Sequence, residues 1–580
     1  MTTNTNGRNN GYVALSSEPQ EHGQYSPRDA ATATNYTIPT SLGIGIDIKH
    51  GGTLTIHPDG HSYTYSYGPR GVVGLLHNKF TMGVACLASL GGMTFGYDQG
   101  VIANILVMKD FMERFPVTPW QIGLITAMLE LGSLIGALSA GAFADRVSRQ
   151  RAILIASAVF CIGSALQFGA QSVLHLILGR GIGGLGVGAL SMLSPLYMAE
   201  ISPPEVRGSL MALEQLSIVT GAGVGFWFGF LCRNLSGSAS WRTPLGFQIL
   251  PGLFLGICCL FLPSSPRLLA AHGENEDALR TLARLRLRKL EEAATDPLLQ
   301  IESLEMRVEV ALEQRIMGDA KTGGFSAEAK AWSQLFSKRY YKRTMIGILM
   351  MVFQQWSGIN ALLYYGPTLM RHLGLGNDSG TLVVAGGISV VQLLAVFPVI
   401  LYIDRLGRKP LLRWGSVVMF LSHMTIALLV KQNQYDWPHH KTAAITAVGC
   451  TYVFTMAYGM SYGPIGWILP SEVFPTSVRS KGVALSTSSN WINNFLIGLM
   501  TPALMELSPS VTFIIFATAC FLGYFWSTYV VPETANISLE EIDAVFGSSV
   551  GLQDAEFKRQ IERELGLTDL IASLAASEQS

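Results

Sequence analysis

Uncharged apolar runs about 20 residues long recur along this chain, separated by short charged links. Each run is long enough to cross a bilayer as a helix. Backbone amides at membrane depth must be bonded inside the spanning structure, which leaves helices or closed barrels as the only folds. Approximate cores lie at 80–104, 119–142, 151–171, 173–196, 209–232 and 244–263. Six more lie at 343–370, 379–402, 410–430, 441–469, 482–503 and 511–531. The expected fold is an all-α membrane protein with twelve transmembrane helices, spans 1 to 12, in two six-helix halves at 78–263 and 343–531. Lys plus Arg equals Asp plus Glu at 40 each, so net charge offers nothing to nucleic acid or a polyanionic partner.

Three polar segments remain. Residues 1–77 are rich in Thr, Asn, Gly, Ser and Tyr, a composition that predicts disorder, although GGTLTIHPDGHSYTYSYGP alternates in a way that suits a local hairpin. With no apolar stretch there, span 1 is expected to act as its own insertion signal. The insert 264–342 carries ENEDALRTLARLRLRKLEE and a later Glu/Leu/Arg-rich stretch, both with helical spacing. A solvated helical layer on the membrane face fits it better than a nucleic-acid patch. The tail 532–580 is polar, with a helical pattern near Leu552 to Leu574. The seven Cys are scattered through apolar runs without CxxC or His/Cys metal spacing, so no disulfide framework, metal or cofactor is expected.

Positive charge sets the expected orientation. Arg146, Arg149, Arg151, Arg207, Arg405, Arg408, Lys409, Arg413, Arg479 and Lys481 all follow even-numbered spans. Both termini and the insert are then expected to be cytoplasmic. The sequons at Asn234 and Asn377 fall in predicted outside links, as a glycoprotein would place them. The halves also repeat. GAFADRVSRQR (Gly141 to Arg151) is echoed by YIDRLGRK (Tyr402 to Lys409), and PLYMAEISPPEVRG (Pro195 to Gly208) by ILPSEVFPTSVRS (Ile468 to Ser480). Two related halves with duplicated charged ends point to an alternating-access carrier.

Some polar side chains sit inside the spans. FQQWSGINALLYY (Phe353 to Tyr365) brings Gln354, Gln355 and Asn360 to membrane depth, followed by Tyr364 and Tyr365. Two readings stand here: amides presented to a ligand rich in hydroxyls, each of which donates and accepts, or amides that tie helices together. Asp98 is an ionisable group within span 1, a functional position by default, and Arg180 in span 4 is its expected partner. His175 and His423 read as satisfied polar contacts. Nothing resembles a nucleophile triad, a phosphate loop or an ATP site, so no enzyme is expected.

Taken together, these motifs resemble the sugar porter branch of the major facilitator superfamily, and fungal hexose carriers in particular, over about residues 80 to 545. The matching stretches are FGYDQG (Phe95 to Gly100), GRGIGGLGVG (Gly179 to Gly188), PLYMAEISPPEVRG, QQWSGIN (Gln354 to Asn360), GPIGW (Gly463 to Trp467), SNWINN (Ser489 to Asn494) and PETANISLEEID (Pro532 to Asp543). The resemblance implies a sugar pocket between the halves lined by Phe95, Gln215, Gln354, Gln355, Asn360, Trp467, Asn490, Trp491 and Asn494. It supports the pairing of Asp98 with Arg180, where protonation of the acid is expected to couple a proton to sugar, a structural ion pair with no proton cycle being the alternative. The acids and bases at matched positions in the two halves, Asp145, Arg146, Arg149, Glu200, Arg207, Asp404, Arg405, Arg408, Glu472 and Arg479, are expected to form a cytoplasmic gate that pairs across the halves when the carrier opens outward, topological charge alone being the other reading. The expected function is monosaccharide uptake with protons, by a monomer in the plasma membrane. A facilitative carrier, a non-transporting sugar sensor, or a carrier of a polyol, glycerol, quinate or disaccharide are the alternatives. This chain departs from the family pattern at Gln392, where Asn is usual; at Ser148 and Gln150, for Gly and Arg; and at Ser264, for an acid.

Overall fold

The computed structural model describes residues 44–48, 52–56, 63–69, 71–203, 206–317, 329, 332–375, 379–474, 478–534 and 550–579. Spans 1 to 6 are Lys79–Ala88 with Leu90–Ile105, Pro119–Val147, Arg149–Phe168, Val173–Ile201, Arg207–Cys232, and Ala239–Phe247 with Ile249–Cys259. Spans 7 to 12 are Tyr341–Trp356 with Ile359–His372, Ser379–Leu406, Arg408–Asn433, Lys441–Met460 with Tyr462–Val473, Arg479–Leu507, and Pro509–Tyr529. Eleven of these are long and apolar enough to cross a membrane by composition among the described residues, and span 11 is the exception. It crosses as the twelfth because its polar residues face protein. Ser486, Thr487, Ser488, Ser489, Asn490, Asn493 and Asn494 are all less than 10% exposed.

Small residues bring the spans within a half together, as is usual where lipid leaves no hydrophobic drive for helix association. A Cβ on Gly96 or Gly100 of span 1 would collide with the Ile218 or Ala222 carbonyl of span 5. Gly132 and Gly184 give spans 2 and 4 the same approach. Of the four spans in two pieces, spans 1 and 6 keep right-handed helical angles at their junctions, Ser89 and Gln248, while spans 7 and 10 leave them. Span 7 breaks at Gly358, whose φ of 93° is left-handed and whose α-carbon lies against the Phe516 ring, so glycine is required there twice over. The Ser357 carbonyl left at the break accepts from His423 Nε2 at 2.8 Å, with the imidazole packed on Phe454. Span 10 breaks at Ser461. Its second piece is joined to span 7 by a glutamine amide.

The expected disorder of residues 1–77 does not hold for the part described. Strands β1 (Ile44–Ile48), β2 (Gly52–Ile56) and β3 (Tyr63–Ser66) form an antiparallel sheet, β2–β3 being the alternating stretch. Low hydrophobicity misleads here because the sheet does not stand alone. Leu54 and Ile56 pack with Leu298, Ile301, Val308 and Leu312 of the insert and with Ile561, Leu567 and Ile571 of the C-terminal tail. Tyr63 and Tyr65 donate to the two carboxylate oxygens of Glu305 at 2.6 and 2.7 Å. Burial pushes the Glu305 carboxyl above its ordinary range, and these two bonds pull it back. Three distant segments thus share one small core. The layer is tied to the first half by Arg286, which is paired with Glu302 and donates to the Ile201 carbonyl at 2.9 Å.

The links after spans 2 and 8 show what two of the departures mean. In the second half Gly407 has φ 83° and ψ 160°, a region open to glycine alone. Glu533 sits against it and accepts from the Arg408 and Lys409 amides at 2.9 and 3.0 Å, capping span 9. In the first half Ser148 holds φ 149° and ψ 155°, and its own hydroxyl accepts from the Arg151 amide at 3.2 Å. The acid of the second half corresponds to Ser264, which is too short to cap across. The two departures are therefore linked: where the remote acid is lost, the serine caps its own helix at the cost of backbone strain.

Ser148→Gly relieves that strain, of about 1–3 kcal/mol, and loses a few tenths as a weaker cap. Thermal unfolding in detergent should show a net gain of about 1 kcal/mol. Gly407→Ser should do the reverse, since its Cβ would lie 2.7 Å from the Glu533 carboxylate. A loss of stability in Ser148→Gly contradicts the reading.

Candidate functional site

The two halves meet along spans 2 and 11, 5 and 8, and the second piece of span 7 with span 1. These meetings lie toward the end opposite the basic links. There Gly123 of span 2 is pressed on the backbone at Leu499 of span 11, and Gly386 of span 8 sits under Phe226 and Trp227 of span 5. The seam is closed at that end.

Along the seam the polar residues divide into groups. Gln354 is fully committed to protein. Its Nε2 donates to the Tyr462 and Gly463 carbonyls at 2.9 and 3.2 Å, and its Oε1 accepts from Asn490 Nδ2 at 2.6 Å. It fills the break in span 10 and ties it to span 11, so packing, and not a ligand, takes Gln354 and engages Asn490. Gln355 Oε1 accepts from Asn360 Nδ2 at 2.5 Å, and this pair is less than 6% exposed. Gln355 Nε2 and Asn360 Oδ1 are the outer poles of that pair, one donor and one acceptor. Gln215 and Trp467 are half-buried. Gln392 is buried, with its Oε1 unpartnered among the described residues.

Trp491 of the second half is fully buried in the first half, edge-to-face with Phe95 at a centroid distance of 5.1 Å and near Leu129, Ala137, Phe160 and Val187. With the seam closed, these two rings hold each other and offer no face to a ligand. Deep in the first half Arg180 Nη1 donates to Asp98 Oδ1 at 2.9 Å, both side chains at 0% exposure. Asp98 Oδ2 has no partner among the described residues.

Two buried acids were not anticipated from the sequence. Glu130 in span 2 is 0% exposed. Tyr364 Oη lies 2.6 Å from its Oε1, and Asn494 Nδ2 donates to its Oε2 at 3.0 Å. Tyr364 Oη also contacts Asn494 Oδ1 at 3.1 Å and accepts from Gln99 Nε2 at 3.2 Å. Glu130 thus joins the halves. Glu214 in span 5 is 7% exposed, and its Oε2 has no partner among the described residues. The rule that singled out Asp98, an ionisable residue inside an apolar run, would have found both.

At the basic end, Arg149 pairs with Glu200 at 3.1 Å within the first half, and Arg408 with Glu472 at 2.8 Å within the second. Arg479 Nε donates to the Phe474 carbonyl. These are matching pairs inside each half; the expected pairing across the halves belongs to a state in which the seam closes at this end. The side chains of Asp145, Arg146, Arg207, Asp404 and Arg405 lie outside the described residues, as does the Asn377 sequon. Asn234 is exposed in a turn after span 5.

The Sugar (and other) transporter family matches residues 84–546. The chain is similar to the high-affinity glucose transporter 1 of Candida albicans, at 29% identity over 83% of this chain and 91% of that protein. It is similar to the arabinose-proton symporter of Bacillus subtilis, at 32% identity over 80% of this chain and 95% of that one. Among solved structures it resembles the proton:xylose symporter XylE bound to 6-bromo-6-deoxy-D-glucose, with TM-score 0.64 and 25% identity over 80% of this chain and 99% of that one. It also resembles the inward open conformation of XylE from E. coli, with TM-score 0.63 and 25% identity over 80% of this chain and all of that one.

The two glutamines should separate on mutation. Gln354→Ala removes its two bonds to the first-turn carbonyls of Tyr462 and Gly463 and leaves the Asn490 amide with only the weakly accepting Met351 sulfur in a dry interior, which costs about 1–3 kcal/mol. Gln355→Ala strands only the Asn360 amide at the seam. Chemical or thermal unfolding in detergent should rank Gln354→Ala as clearly the less stable of the two. The opposite ranking would mean that Gln354 does not hold the break in span 10.

Proposed function

We propose that this chain, which belongs to the sugar transporter family of the major facilitator superfamily, takes up a monosaccharide, in the first place a hexose, together with protons. Membership makes it a multi-pass membrane carrier of sugars and not an enzyme. The hexose follows the glucose transporter of Candida albicans. Proton coupling follows the arabinose-proton and xylose-proton symporters, and one observation in this chain carries it: an acid with a free carboxylate oxygen, locked to Arg180 inside the first half.

In this reading Gln355 Nε2, Asn360 Oδ1, Gln215, Gln392 and Trp467 receive the sugar, amides on its hydroxyls and the indole on its apolar face. Asn490, Asn494, Phe95 and Trp491 join when the seam loosens. Gln392, longer than the usual Asn, narrows this pocket. Ionised Asp98 holds span 1 against span 4. When it takes a proton the ion pair weakens, and span 1 is free to move with sugar bound. The intra-half pairs Arg149–Glu200 and Arg408–Glu472 keep each half rigid, and in the opposite state the charges of the basic end face one another across the seam. With both termini cytoplasmic and the carrier in the plasma membrane, the closed end lies outside. A facilitative carrier is the second reading. It is favoured by the complete burial of the Asp98–Arg180 pair, which also suits a permanent structural tie.

Asp98→Asn separates the two. Asparagine keeps the shape of the protonated acid and cannot titrate. Proteoliposomes with an imposed inward proton gradient should accumulate labelled hexose when they carry the wild type. With Asp98→Asn the inside-to-outside ratio should fall to about one, since no gradient then remains to do work, while downhill entry continues. Wild type that shows neither accumulation nor sugar-induced proton movement identifies a facilitator. Full accumulation by Asp98→Asn places the proton elsewhere.

A further inference from the structure

Glu130, Tyr364 and Asn494 close a ring of three hydrogen-bond contacts between the halves: Glu130 to Tyr364 at 2.6 Å, Tyr364 to Asn494 at 3.1 Å, and Asn494 to Glu130 at 3.0 Å. Each contact needs one hydrogen. The amide supplies one and the phenol supplies one. An ionised carboxylate supplies none and leaves an oxygen–oxygen contact without a proton. Reversing the Asn494 amide does not help. Its nitrogen then donates to Tyr364, Tyr364 donates to Glu130, and the amide oxygen faces the second carboxylate oxygen. In either orientation the ring is complete only when Glu130 carries a proton.

We propose that Glu130 is a protonated latch between the two halves, and that its proton holds the seam closed at the end opposite the basic links. With the carboxylic acid donating to Tyr364, Tyr364 donates to Asn494 Oδ1, and Asn494 Nδ2 donates to the acid's carbonyl oxygen. Tyr364 then accepts two bonds, from Glu130 and from Gln99, and donates one, which fills its capacity. No ion pair competes for Glu130 among the described residues. Arg180, the neighbouring cation, gives its ion pair to Asp98. Tyr365 faces the same space and donates to the Gly498 carbonyl at 2.6 Å. The charged and titratable groups around Glu130 are therefore Arg180, Asp98, Tyr364 and Tyr365.

Opening the seam pulls Tyr364 and Asn494 away from span 2 and admits water. Glu130 then ionises, releasing its proton to that water. Closing reverses both steps. Because closure takes up a proton, the closed state gains weight as pH falls and loses it as pH rises. The same side chains explain why sugar and latch exclude each other at one point: Asn494 cannot complete the ring and turn both its amide poles to a hydroxyl. This inference rests on alternation of the two halves. It does not depend on which solute is carried, nor on Asp98 as the coupling acid.

The test uses the full-length protein without sugar. Spin labels go at Leu235→Cys and Tyr435→Cys, exposed positions in links of the two halves at the closed end, with the native cysteines replaced. Pulsed electron resonance gives the distance distribution from acid to alkaline pH. The short distance should dominate at acid pH, and a longer population should grow as pH rises. Glu130→Gln supplies the missing hydrogen from its amide and should stay short at every pH. Glu130→Asp keeps a titratable acid but falls short of both partners, and should favour the long distance throughout. A wild-type distribution that ignores pH, or a Glu130→Gln distribution that moves with pH as the wild type does, overturns the proposal. Should Glu130→Gln not fold, Glu130→Asp with the wild-type pH response decides alone: its remaining at the short distance also overturns it.

Discussion

Everything in this structure depends on one constraint: a polar group carried to membrane depth must find its partner there. Twelve helices satisfy their own backbones, so the constraint falls on the side chains and on the breaks. Each break has a donor assigned to it. His423 answers the Ser357 carbonyl where span 7 is interrupted, and Gln354 answers Tyr462 and Gly463 where span 10 is interrupted. Spans 7 and 10 leave helical geometry at these interruptions, and the two side chains tie the broken backbone to neighbouring spans. Gln355, Asn360 and Gln392 are among the residues that keep unused hydrogen-bonding capacity, and in the proposed reading they receive the solute.

In the proposed cycle the same constraint separates the parts that move from those that do not. Within each half, spans touch through glycines and through ion pairs buried at the basic end, arrangements with little room for repacking. Between the halves the contacts include two aromatic rings, Phe95 and Trp491, a ring of hydrogen bonds at Glu130, and the close approaches of Gly123 to Leu499 and of Gly386 to Phe226 and Trp227. These can part and reform as units. The soluble layer follows the division too. It draws on the N-terminal sheet, the insert and the C-terminal tail, and Arg286 anchors it to the first half at Ile201.

Much of this was legible in the residues. The run lengths foretold twelve spans, and the Asp98–Arg180 pair was placed correctly. The polar face of span 11 escaped a purely compositional count but was visible as the SNWINN stretch. Gln354 could not be assigned from spacing, since packing and ligand binding ask for the same amide; only its three bonds decide. Glu130 and Glu214 were readable by the rule already applied to Asp98 and were passed over. The β2–β3 hairpin was legible in its alternation, but the packing of the N-terminal sheet was not, because its core is completed by residues more than two hundred positions away. The strain at Ser148 likewise needed its partner departure at Ser264 to make sense.

The central claim is that the seam alternates around a bound sugar. Counterflow tests it most directly. Proteoliposomes containing the purified wild type are preloaded with unlabelled glucose and diluted into a trace of labelled glucose, with no proton gradient. A carrier that alternates with sugar bound will draw the label in to a transient overshoot above its equilibrium level. A monotonic approach to equilibrium, or no protein-dependent entry for any monosaccharide tried, would contradict the account.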